Sequence, residues 1–124
     1  FYIKKSCLPL EEALSVIKAA GGVSVVAHPY SLFVSKAMLG TLFSRWKDMG
    51  IEGVEAYHPT AKFGQCVILE RMAHERGMFV TAGSDFHGNA RPECGLGRTA
   101  GNMIIDSSYR DALVSALSRS AVQK

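Results

Sequence analysis

Three of the four histidines stand in short segments that follow apolar runs: Ala27-His28-Pro29, Tyr57-His58-Pro59 and Gly83-Ser84-Asp85-Phe86-His87-Gly88. Imidazole and carboxylate groups gathered in one mouth have the composition of a metal site. A hard carboxylate beside borderline imidazoles suits zinc, manganese or iron(II) better than calcium. The Asp-x-His spacing adds to this. In extended backbone residues i and i+2 share a face, so Asp85 and His87 are expected to aim together while Phe86 turns away into packing. Gly83 and Gly88 would let the chain turn tightly on both sides, and Pro29 and Pro59 would stiffen the loops behind their histidines.

Each of these residues also has a plainer reading. A single histidine is more often a satisfied core or surface group than a ligand. Its recurrence after two apolar runs, with Asp-x-His after a third, favours metal ligation at His28, Asp85 and His87. His58 stays open between ligand, phosphate-binding donor and loop packing. His74, next to Glu75 and Arg76 in a helical stretch, reads as solvated. Glu55 could reach the mouth, but a structural salt link is the expectation, and Cys66 reads as core. Arg91 and Arg98 lie in or beside the glycine-rich stretch around Asp-x-His, where they would meet an anionic substrate or serve as surface charge.

The elements that must position these groups alternate. Pro9 suits an early helical position, Leu10, Ala13, Leu14 and Ile17 follow at helical spacing, and Gly21-Gly22 supplies the stop. Val23 to Ala27 reads as a strand, apolar throughout as when both faces are covered. Leu39, Leu42, Phe43, Trp46 and Met49 mark one face of a second helix, with Ser35 as cap and Gly50 as stop. Gly53 to Tyr57 is a second strand. A third helix runs from about Lys62 to Arg76 with Phe63, Cys66, Val67, Leu69 and Met72 mostly inward, and Met78 to Ala82 is the third strand. Residues 83–98 read as a long loop, Arg98 to Ile105 as a candidate for one more short strand. A final helix runs from about Ser107 to Arg119, capped by Asp106 or Ser107. A strand recurring every ~25–30 residues with a helix between is the βαβ rhythm, which gives parallel strands. Parallel α/β folds gather their sites at the carboxyl ends of the strands, where His28, His58, Asp85 and His87 fall.

Composition narrows the class. The 124 residues carry 14 Lys+Arg against 11 Asp+Glu, a formal charge of +3, with 48% apolar and 20% charged residues. This is ordinary globular composition, long enough for one domain with a core. No apolar run approaches the ~18–20 residues needed to span a bilayer, no signal-peptide pattern opens the sequence, and no like-charge block marks a nucleic-acid-binding tail. Cys7, Cys66 and Cys94 form no C-x-x-C pair, which fits a reducing, cytoplasmic setting better than a disulfide framework. The chain opens with Phe1 instead of Met, as expected of a processed product or a piece of something larger.

Taken together, Gly21-Gly22-Val23-Ser24-Val25-Val26-Ala27-His28-Pro29 and Gly83-Ser84-Asp85-Phe86-His87, with Asp85 57 positions after His28, resemble the paired "AHP" and "GSDFH" motifs of the PHP (polymerase and histidinol phosphatase) family. The resemblance is to the carboxyl-terminal portion of its phosphoesterase branch, and residues 1–124 are read as that part of a single PHP domain. It implies an α/β fold of parallel βα units forming the C-terminal part of a distorted seven-stranded (β/α) barrel, incomplete in this chain. It also implies up to three divalent metal ions (manganese, zinc or iron) in the complete domain, with His28, Asp85 and His87 among the ligands. Metal-activated hydroxide would hydrolyse a nucleotide or oligonucleotide phosphate ester, with His58 as a substrate contact beside the loop arginines Arg91 and Arg98.

The family's other ligands, including a His-x-His pair, come from amino-terminal motifs that this sequence lacks. The expected partners are therefore a phosphorylated small molecule or nucleotide, or a short RNA or DNA, and the N-terminal half of the same domain. Self-association of the piece is a further expectation, and no membrane is expected. By itself the piece should have little activity. The alternative is a non-catalytic or degenerate PHP module serving as a scaffold. An amidohydrolase on a (β/α) barrel is disfavoured because no metal-bridging lysine stands at these strand ends.

Overall fold

The protein is described by a computed structural model covering residues 7–122. Its elements alternate as α1 (Leu10–Ala19), β1 (Val25–Val26), α2 (Lys36–Asp48), β2 (Gly53–Tyr57), α3 (Phe63–His74), β3 (Phe79–Ala82) and α4 (Ser107–Val122). The three strands form one parallel sheet in the order β1-β2-β3. Val54 of β2 lies between Val26 and Val80. The register of β2 against β3 slips between Glu55 and Tyr57, so that Tyr57 faces Ala82. This irregularity falls at the carboxyl end of the central strand, where the loops carrying the histidines begin.

Packing concentrates on β2. Leu39, Phe43 and Trp46, spaced four and three apart, present one face of α2 to the sheet, and Cys66, Leu69, Met72 and Ala73 do so from α3. Ser35 starts α2 by accepting the Met38 amide at 3.2 Å through its hydroxyl. At the other end of the chain, Ser108 donates its amide to Asp106 at 2.9 Å, so Asp106 caps α4.

Several sequence expectations are corrected by position in the sheet. Only Val25 and Val26 of the expected 23–27 strand pair, and both are half-buried, because β1 is an edge covered incompletely on its faces. Likewise α1 buries no residue fully, and its Leu10 and Ile17 stay partly exposed. On α3 the inward face is narrower than expected: Phe63 and Val67 are 52% and 43% exposed while Cys66 is fully buried. The stretch after Arg98 makes no strand, only a single antiparallel bridge between Arg98 and Ile104 around a 3-10 turn. All three cysteines are free, and among the described residues no helix is long and apolar enough to cross a membrane.

A partly buried polar contact fastens α3 to the central strand, and α4 packs beside it. The Tyr57 hydroxyl donates to Glu70 Oε2 at 2.7 Å, and the Tyr109 ring of α4 lies 5.5 Å from the Tyr57 ring, centre to centre. Burial first, then the hydrogen bond to Glu70, pushes the Tyr57 phenol well above its ordinary 10.0. Burial and the Glu70 charge raise Tyr109 as well. A raised phenol pKa favours the fold while the group is neutral. That contribution is complete below pH 10.0 and is lost as pH rises through the folded-state value. Tyr57→Phe should therefore lower stability by about 1–2 kcal/mol at pH 7. In urea denaturation the wild-type advantage should shrink once the pH passes the ordinary phenol range.

Candidate functional site

Parallel pairing brings the ends of β1, β2 and β3 to one side of the sheet, and the candidate residues sit in the loops that leave there. His58 follows Tyr57 directly and is buried, 6% exposed. His28 follows β1 by two residues, its ring packing edge-on to His58 with centroids 5.3 Å apart. Beyond β3, the Asp85 carboxylate lies 3.4 Å from His58 Nε2 and 3.6 Å from His87 Nδ1. The Arg91 guanidinium donates to Asp85 Oδ2. Arg91 is thus brought into the cluster. Arg98 instead donates to the Asn102 carbonyl at 3.1 Å, within its own loop, and His74 is exposed, as its sequence context suggested.

Glu55 enters the site in a way sequence reasoning missed. Among the described residues no salt link holds it; its Oε2 accepts the backbone N–H of His28 at 2.7 Å. Its other carboxylate oxygen lies so close to Gly83 that any side chain there would strike it. One carboxylate on the middle strand thus meets the backbone following β1 and the backbone following β3. A glutamate inside an otherwise apolar strand was the available signal, since strand alternation puts Glu55 on the face opposite Val54 and Ala56. Gly83 is therefore needed for close approach and not for a tight turn, while Gly88, at φ 58°, does turn the chain as expected.

Two of the candidate ligands occupy strained backbone. His28 (φ 32°) and Asp85 (φ 46°) are in the left-handed region, which costs a residue with a side chain about 1–3 kcal/mol. The extended-strand argument for Asp85 and His87 fails on this point. The two do come together, but through a left-handed Asp85 whose carbonyl accepts His87 Nδ1–H at 2.6 Å. Phe86, expected to pack inward, is 51% exposed.

The donor chemistry suits a divalent cation, and each imidazole has its Nδ1 engaged locally. His87 uses the Asp85 carbonyl, His28 the Ser31 hydroxyl at 3.0 Å, and His58 the Thr60 hydroxyl at 2.8 Å. For His28 and His87, orienting Nδ1 from behind and leaving Nε2 for a cation is the arrangement metal-binding histidines use; Nε2 of His58 is instead buried. The expected convergence of His28, Asp85 and His87 is nevertheless not formed: among the described residues no three His, Cys, Asp or Glu side chains meet closely enough to share an ion. Arg91 holds the Asp85 carboxylate, and the contacts linking Asp85 to His28 run through His58.

The strained φ values predict an inverted substitution order. At Asp85 the glycine variant should be more stable than the alanine variant by about 1 kcal/mol, and the same should hold at His28. Elsewhere alanine is normally the better tolerated of the two. Thermal or urea denaturation of the four variants checks this.

Comparisons with known proteins agree with the motifs. No protein-family profile matches the chain. Over 86 residues, 69% of this chain, it is 27% identical to a 3′,5′-nucleoside bisphosphate phosphatase of Chromobacterium violaceum, covering 30% of that protein. Over the same length it is 29% identical to a 5′-3′ exoribonuclease of Haemophilus influenzae, covering 31% of it. In structure it superposes on a Chromobacterium violaceum protein described as an amidohydrolase with TM-score 0.70 at 24% identity, covering 94% of this chain and 39% of that one. At that identity the likeness speaks for the fold. A Bifidobacterium adolescentis protein described as a metal-dependent phosphoesterase matches with TM-score 0.63 at 30% identity, covering 91% of this chain and 38% of that one. The chain spans under a third of the curated relatives' length and under two-fifths of the solved structures'. Motifs, fold and relatives together make this chain a relative of the PHP-type phosphoesterases, matching part of their length.

Proposed function

We propose that the protein carrying this chain is a metal-dependent phosphoesterase that hydrolyses a nucleotide or oligonucleotide phosphate ester. The observation that supports this best is the gathering of His28, His58, Asp85 and His87 at the carboxyl ends of three parallel strands. The names of its relatives, a nucleoside bisphosphate phosphatase and an exoribonuclease, support the substrate class. In this reading His28, Asp85 and His87 hold a divalent cation, manganese, zinc or iron. A bound cation of this kind supplies Lewis-acid polarisation of the phosphoryl group and an acidified water. Glu55 keeps the His28 loop in register with the β3 loop. Arg91 balances the Asp85 charge and is near enough to meet a phosphate oxygen, as is His58. Arg98 would have to leave the Asn102 carbonyl to do the same.

The remaining ligands and the strands that would close a barrel are proposed to come from the rest of the protein, in line with the relatives' greater length. The piece alone should then turn over little or nothing, and its open β1 edge should favour association with that half or with itself. The three free cysteines suit a reducing cytoplasm. A scaffold without catalysis is the second reading, favoured by the failure of three donors to converge.

Metal uptake separates the two. The whole protein given manganese and a simple phosphate ester should show turnover that a chelator abolishes. Asp85→Ala should lower it at least about a hundredfold, since even outer partners of metal ligands cost 10–100-fold. Activity surviving Asp85→Ala would remove the ligand role, and a wild type that takes up no metal and turns nothing over would establish the scaffold.

A further inference from the structure

His58 and His87 flank the same carboxylate, yet their hydrogen bonds put the ring hydrogen at opposite ends. His87 Nδ1 faces the Asp85 carbonyl, which can only accept, so that ring carries its hydrogen on Nδ1 and leaves Nε2 with a bare lone pair. His58 Nδ1 instead receives the backbone N–H of Thr60 at 3.3 Å, with the Thr60 hydroxyl 2.8 Å away. A backbone amide can only donate, so Nδ1 of His58 must accept and the hydrogen of the neutral ring sits on Nε2. That Nε2 is buried and has no hydrogen-bond partner among the described residues: Asp85 Oδ2 lies 3.4 Å away without forming one. A buried donor beside a carboxylate, with the Arg91 guanidinium on the other side, wants an oxygen acceptor delivered from outside.

We propose that His58 is a fixed Nε2–H donor to a phosphoryl oxygen bound beside Asp85, and not a metal ligand. The inference rests on the phosphoesterase reading for the identity of the oxygen, and on the Thr60 hydrogen bonds for the donor. It divides the imidazoles of the site into two classes. His87 offers a lone pair to a cation, while His58 offers a hydrogen to an anion and, in this form, has no lone pair to give. Substrate recognition at this position thus depends on an oxygen acceptor.

Long-range ¹H–¹⁵N correlation of the histidine rings in the whole protein, free of metal and phosphate, reads the tautomers directly. The expected result is Nε2–H for His58 and Nδ1–H for His87; Nδ1–H at His58 overturns the inference whatever the protein hydrolyses. Inorganic phosphate then serves as the probe. His58→Ala should weaken its binding about tenfold or more, and His58→Gln, which keeps an N–H near the Nε2 position, should recover most of the loss. Both variants should bind as many manganese or zinc ions as wild type. Loss of an ion in both would make His58 a ligand and overturn the inference. An Nε2–H tautomer in a wild type that binds no phosphate would uphold the donor while overturning the phosphoryl oxygen as its acceptor, together with the phosphoesterase reading.

Discussion

The carboxylate of Glu55 is the contact on which the geometry of the site depends. It sits on the middle strand of three, takes the amide hydrogen of His28 and closes over Gly83. Hydrogen bonds to ionised acceptors are the stronger kind, contributing about 1.5–3 kcal/mol each. This one joins segments 27 residues apart in sequence. Strand β1 contributes only two paired residues, so its ladder alone holds the His28 loop weakly. Glu55 supplies the missing constraint, and the absence of a side chain at position 83 lets the same group reach across to the loop that carries Asp85.

Two left-handed residues stand in the loops that Glu55 joins. His28 leaves a short edge strand and immediately enters the 3-10 turn Pro29–Leu32, while Asp85 must turn so that its carboxylate meets His58 and its carbonyl meets His87. Aspartate and histidine enter such backbone more readily than most residues with a side chain, though still at a cost, and the core lies elsewhere, around Leu39, Phe43, Val54 and Leu69. Phe33 and Asn102 share this backbone, so it is the place of His28 and Asp85 among the candidate ligands, and not strain alone, that ties theirs to the site.

Much of this was readable in the sequence, and the limits have physical causes. β2 and the cap at Ser35 were legible because burial on both sides and a hydroxyl followed by an apolar face are local signals. The parallel order followed from the βαβ rhythm, and so did the meeting of three loops at one end. The extent of β1 and the orientation of Phe63, Val67 and Phe86 were not legible, because each depends on what covers a surface from outside its own element. The pairing of Asp85 with His87 was anticipated for the wrong reason, since a left-handed residue leaves no mark on periodicity. The sequence places Glu55 within reach of the mouth but points to a salt link, and it gives no sign of Thr60, because their partners, a backbone amide and a ring nitrogen, depend on three-dimensional contacts and not on any recognisable motif.

The Arg91–Asp85 pair has a consequence for which ions could bind at Asp85. Oδ2 of this carboxylate already has a counter-charge, so a cation binding through that oxygen would have to displace a guanidinium. Sodium or potassium would exchange one positive charge for another and lose directed hydrogen bonds in doing so. A doubly charged ion would gain where they lose, and in the phosphoesterase reading the exchange would leave Arg91 free to meet an anion. Valence selection and anion recruitment would then be two ends of one swap.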